Sequence, residues 1–185
     1  EARDVLARTR ADWPEHPEVS LAWAQQLENL QAPETAAAYA RAIELEPDDE
    51  QAYLGLARVQ RTADSEATLQ RLVTRVPDSV DGHYRLAQRM LDRHDLAAAE
   101  RELRAVLEHD PDHIDARVEL ARTLRKQGKL TDAIAQMRSA FDRAGQPLDV
   151  AEELFWLLAE ADDLQGAIDL LTLLDDDRSD PDALA

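Results

Sequence analysis

The chain has 185 residues, room for one domain of ordinary size or a short repeat array but not for two catalytic domains. Three Trp, three Tyr, two Phe and five Gly stand against an abundance of Ala, Leu, Glu, Asp and Arg, which predicts an all-α protein. A formal charge of −18 opposes binding to nucleic acid or to an anionic membrane, and the lack of cysteine excludes a disulfide frame, a thiolate zinc site and a cysteine nucleophile. From Gln146 onward twelve acidic residues face Arg178 alone, a net −11, which leaves −7 for residues 1–145. The chain opens on Glu1 and a charged segment, so no signal peptide is visible, and no stretch approaches the roughly 20 apolar residues that span a bilayer. A soluble chain is expected.

In chain order, residues 1–13 read as one helix, the second half of a truncated repeat. A repeat then runs to the end. Trp23-Ala24, Leu56-Ala57, Leu86-Ala87, Leu120-Ala121 and Leu154-Phe155 follow one another at steps of 33, 30, 34 and 34 residues. In the second half of each unit, Leu96, Leu130 and Leu164 keep the 34-residue step, as do Ala99, Ala133 and Ala167, and Leu103, Met137 and Leu171. Pro14, Pro47, Pro77 and Pro111 mark the seams, where a helix ends and a polar pair starts the next. Between seams the apolar residues recur at helical period, and short breaks at Arg93-His94-Asp95 and Gln127-Gly128-Lys129 divide each unit into two helices. The boundaries are therefore 14–47, a shortened 48–77, 78–111, 112–145, and 146–185 with an acidic tail. Thr35 and Ser65 stand where the other second helices carry Ala.

A two-helix unit of 34 residues, with a small residue after Leu in its first helix, Ala early in its second and Pro at its end, resembles the tetratricopeptide repeat family. The resemblance covers nearly the whole chain. It implies a right-handed superhelical solenoid of helical hairpins, in which the first helices line a concave peptide-binding groove. Carried onto this sequence, the groove would present Gln51, Leu54, Arg58 and Arg61 from one helix, and Asp81, Tyr84, Arg85 and Gln88 from the next. A third helix would add Val118, Glu119, Arg122, Arg125 and Lys126, and the last hairpin would add Trp156, among Glu152, Glu153 and Glu160. Planar guanidinium forks match carboxylates, so an acidic or carboxylate-bearing peptide is the expected ligand. The competing expectation is that these arginines form salt bridges with acids of adjacent helices. A tail or further helix folded over Trp156 is the alternative to its acting as a contact residue. The family's clamp for heat-shock-protein C-termini uses Asn in the groove, and the only Asn here is Asn29, so that partner is not expected.

The chain is thus expected to be a protein-binding scaffold or adaptor and not an enzyme, without cofactor, nucleic-acid partner or membrane insertion. The alternatives are self-assembly, with the acidic last hairpin of one copy in the basic groove of another, and service as an accessory module of a larger enzyme or thioredoxin-like chaperone. No phosphate-binding glycine loop, G-x-S-x-G turn or H-E-x-x-H pattern is present. His109 and His113 flank a seam proline instead of sharing a helix, and Asp175-Asp176-Asp177 lacks the alternating ligand spacing of a calcium loop. A metal site is expected at neither place.

Overall fold

The computed structural model describes residues 8–9 and 11–179; most of the first predicted helix, residues 1–7 and 10, lies outside them. Beyond Pro14 the described residues form ten helices, and no strand occurs among them. They are α1 (Pro17–Asn29), α2 (Thr35–Leu45), α3 (Glu50–Val59), α4 (Thr62–Arg75), α5 (Val80–Asp92), α6 (Leu96–His109), α7 (Ile114–Lys126), α8 (Leu130–Arg143), α9 (Leu148–Glu160) and α10 (Leu164–Ser179). By internal contact the chain divides into two compact units, one ending at Arg93 and one starting at His94. The first holds α1 to α5 and the second α6 to α10. Within each, every helix packs on the next, and because the links are short, neighbours run antiparallel.

Turn chemistry explains where the helices stop and start. Pro47, Pro77 and Pro111 each sit second in a four-residue link, and the link's last residue caps the next helix. Asp49 accepts the backbone N–H groups of Gln51 and Ala52 at 2.9 and 3.2 Å, Ser79 Oγ accepts Gly82 N–H at 2.9 Å, and His113 Nδ1 accepts Ala116 N–H at 3.2 Å. His113 is thus a capping residue. At the other kind of turn the chain passes through the left-handed region at Gln31, His94, Gly128 and Asp162. There Ala32, Lys129 and Asp163 donate backward to the carbonyls of Leu27, Leu124 and Leu158, the six-to-one bond that closes a helix end.

The repeated small residues sit where helices approach most closely. Ala24, Ala57, Ala87 and Ala121 are buried on the first helices of the repeat, and Ala38, Ala99, Ala133 and Ala167 on the second. Thr35 and Ser65 are buried as well, and Thr35 Oγ1 donates to Ala32 O at 2.6 Å. Gly55 marks a still closer crossing: a Cβ there would lie 2.3 Å from Cε1 of Tyr39, a ring that is itself fully buried.

In the second unit α6 is tied to the start of α8 by charge. Lys129 Nζ donates to Glu100 at 2.7 Å and Arg104 joins from one turn along α6 at 2.9 Å. The hydrogen bond from Lys129 is the main cause that lowers the Glu100 carboxyl from 4.5 to about 2, against the opposing effect of burial. With the folded-state pKa depressed, this stabilisation is complete above 4.5 and disappears as pH falls toward about 2. Glu100→Gln is therefore expected to be less stable than the parent by about 2 kcal/mol at neutral pH. In urea titrations that difference should shrink through this acid window.

Candidate functional site

In the first unit α1, α3 and α5 lie side by side. Arg58 on α3 reaches back to Glu28 on α1 as a two-pronged donor, Nε to Oε1 and Nη2 to Oε2, the latter at 2.8 Å. The Tyr39 hydroxyl donates to the same carboxylate at 2.5 Å. The Arg58 hydrogen bond holds Glu28 below the usual carboxylate range, while burial first and Glu28 second push the Tyr39 phenol up to about 12. Tyr84 and Arg85 on α5 are half-buried and Gln88 is exposed; Arg85 makes no ion pair among the described residues. Two expectations need correction here. Leu54 is buried and offers no surface. Arg61 does not share the helix of Arg58, because α3 stops at Val59 and both Gln60 and Arg61 are extended, placing Arg61 at the start of α4. The shortened repeat is the cause: α3 has 10 residues where α5, α7 and α9 each have 13.

In the second unit the expected groove residues come together on facing surfaces of α7 and α9. Arg122 donates through Nε to Glu153 Oε2 at 2.8 Å and through Nη2 to Oε1 of the same residue, and its Nη1 donates to Glu119 at 2.7 Å. Hydrogen bonding to Glu153 raises the Arg122 pKa further above its usual value, so this side chain is a permanent cation. One turn along, Arg125 Nε donates to Glu160 at 2.6 Å. Lys126 stands beside these pairs, exposed, with no ion pair among the described residues. Two adjoining clefts result, one lined by Arg122, Arg125, Lys126, Glu153 and Glu160, the other by Arg125, Glu153, Trp156, Ala159 and Glu160. Trp156 is 57% exposed and held edge-on by Phe155, ring centres 5.6 Å apart. Val118, expected on this surface, is buried beneath it.

The surface is therefore of mixed charge. Glu119, Glu153 and Glu160 answer Arg122 and Arg125, and only Lys126 keeps an uncommitted positive charge here. Helix faces taken singly do not reveal Glu28 as the partner of Arg58. Yet Glu28 to Arg58 and Arg122 to Glu153 are separated by 30 and 31 residues, close to one repeat, and opposite charges at that spacing are a readable signal.

Antiparallel helix pairs joined by proline-marked links define an α-helical repeat fold. The model of the tetratricopeptide repeat family matches residues 90–147, so that stretch of the chain carries the tetratricopeptide repeat pattern. No curated protein matches the chain. Among solved structures, YrrB, a tetratricopeptide repeat protein with an unusual peptide-binding site, is similar at a TM-score of 0.74 and 17% identity, over 90% of this chain and 89% of its own. MamA residues 41 to the end, from Desulfovibrio magneticus RS-1, is similar at 0.69 and 18% over 89% and 97%. PilW, a widely conserved type IV pilus biogenesis factor, is similar at 0.64 and 17% over 97% and 86%. At these identities the likeness is one of fold. No helix among the described residues is long and apolar enough to cross a membrane.

Proposed function

We propose that this protein is a scaffold whose α7–α9 face binds an extended peptide segment of another protein, an acidic side chain or terminal carboxylate meeting Lys126 and an apolar side chain covering Trp156. The observation that carries this reading is the exposed Trp156 in a cleft continuous with the one that Lys126 lines. Binding of peptide by YrrB, a protein of the same fold, is in keeping with it. The first unit has a contact surface of its own on α3 and α5, formed by Arg58, Tyr84, Arg85 and Gln88 without Arg61. The division into five repeats with boundaries at 14, 48, 78, 112 and 146 belongs to this reading too.

The intramolecular glutamates compete with the ligand for the arginines. Glu153→Gln removes the ionic partner of two Arg122 donor groups, leaving Glu119 on the third, and takes away one negative charge, so it is expected to tighten an acidic peptide about fivefold, whereas Lys126→Glu weakens it by a similar factor. The test is selection from a random displayed-peptide library on the purified protein, followed by titration of the enriched peptides against both variants. Enriched peptides that pair Asp or Glu with an apolar residue, and respond in opposite directions to the two substitutions, support the reading. Peptides indifferent to both substitutions would overturn it.

A further inference from the structure

The last hairpin leaves apolar surface open. Leu164, Ile168 and Leu171 fall on one stripe of α10 by their spacing of four and three, and they are 68%, 55% and 53% exposed. Leu148 on α9 is 65% exposed. Ala167 and Leu170, on the neighbouring side of α10, are buried, so the open stripe continues the core instead of standing apart from it. The 34-residue step gives its meaning. Leu171 corresponds to Met137 and Leu103, which are 1% and 0% exposed on α8 and α6, helices that each have a following helix packed on them. The surface of α10 thus has the shape of a helix-packing face. Among the described residues nothing packs on this stripe, and a contiguous exposed apolar face of this kind marks an interaction surface.

The charge around the stripe selects what can occupy it. Between Gln146 and Asp175 there are eight acidic residues and no basic one. Glu153 and Glu160 are matched by arginines of α7, while Asp149, Glu152, Asp162, Asp163, Asp169 and Asp175 form no ion pair among the described residues. A second copy of the same face would bring like charges together, and an anionic lipid surface would be repelled.

We propose that the outer face of α9 and α10 is a docking site for a basic amphipathic helix of a partner protein, with leucine-like residues over Leu164, Ile168 and Leu171 and Lys or Arg toward the unmatched carboxylates. None of Leu164, Ile168 and Leu171 lines the α7–α9 clefts. A labelled leucine–lysine helical peptide of about 18 residues, five turns long, is the probe. Its controls are the same composition in an order without a helical stripe and the same stripe with Glu replacing Lys. The striped basic peptide is expected to bind at least about tenfold tighter than either control, and to lose about tenfold on Ile168→Asn/Leu171→Asn. Lys126→Glu should leave it unchanged, which separates failure here from failure of the peptide face. Because both replaced residues are exposed, circular dichroism should show the parent fold. Equal binding of the reordered peptide, or indifference to the double substitution, overturns the proposal. So does a dimer of the parent protein in light scattering that the double substitution dissolves, since a second copy would then be the occupant.

Discussion

Gly55→Ala is expected to destabilise the first unit by about 2–3 kcal/mol, although alanine for glycine inside a helix normally stabilises by about 1 kcal/mol. The sign is set by Tyr39. The added methyl would fall 2.3 to 2.8 Å from three atoms of its ring, which is fully buried and cannot swing aside without leaving the core and releasing Glu28. Glu28 in turn is the partner of Arg58, so one methyl group disturbs packing between α2 and α3 and a charge pair between α1 and α3. Urea denaturation followed by circular dichroism measures the loss. Shrinking the ring in the double variant Gly55→Ala/Tyr39→Leu should cost less than the two single changes added together, the non-additivity of residues that share one space. Gly55→Ala more stable than the parent would mean that α2 and α3 do not approach as closely as described.

Trp156→Ala is expected to weaken peptide binding about thirtyfold or more, the size associated with an exposed aromatic at the centre of an interface, while leaving stability nearly unchanged. The two halves of that expectation come from one fact. A side chain that is 57% exposed and touches Phe155 edge-on contributes little to the fold and has most of its area left for a ligand. Calorimetric titration of a selected peptide reads the first half and thermal unfolding the second. Unchanged affinity would place the contact surface away from α9. The more obvious charge reversal, Arg122→Glu with Arg125→Glu, is a poorer test, because it sets new carboxylates against Glu153 and Glu160 and damages the face before any ligand arrives.

Much of this arrangement is legible in the sequence because its cues are local. Pro47, Pro77 and Pro111 announce the seams through backbone chemistry, Gly128 marks a left-handed turn, and Leu-Ala pairs at a near-constant step identify buried positions whatever surrounds them. Helical spacing puts Arg61 on the face of Arg58 only if the helix continues, and in the shortened repeat it ends at Val59. Val118 and Leu54 share helical faces with arginines, yet side chains one turn apart differ in depth according to the neighbouring helix, and a single helix cannot report its neighbour. Leu171 shows the same limit from the other side. Its repeat position predicts burial, as at Leu103 and Met137, yet among the described residues it stays exposed, since burial depends on a neighbouring helix and not on the residue's own repeat position. The mixed charge of the α7–α9 face was hidden for a related reason: Glu153 and Glu160 are read as surroundings of Trp156 until the next helix brings Arg122 and Arg125 against them.

The cross-helix charge pairs span 30 positions for Glu28 and Arg58, 31 for Arg122 and Glu153, and 35 for Arg125 and Glu160. No distant ends have to find each other before such contacts form, and the entropy lost in closing each loop is nearly the same all along the chain. Folding of this kind has no obligatory starting point: any two neighbouring helices that meet first are a template for the third, and growth proceeds by accretion in either direction. During synthesis the same property lets each hairpin settle on the one before it as it emerges, without waiting for residues still to be made.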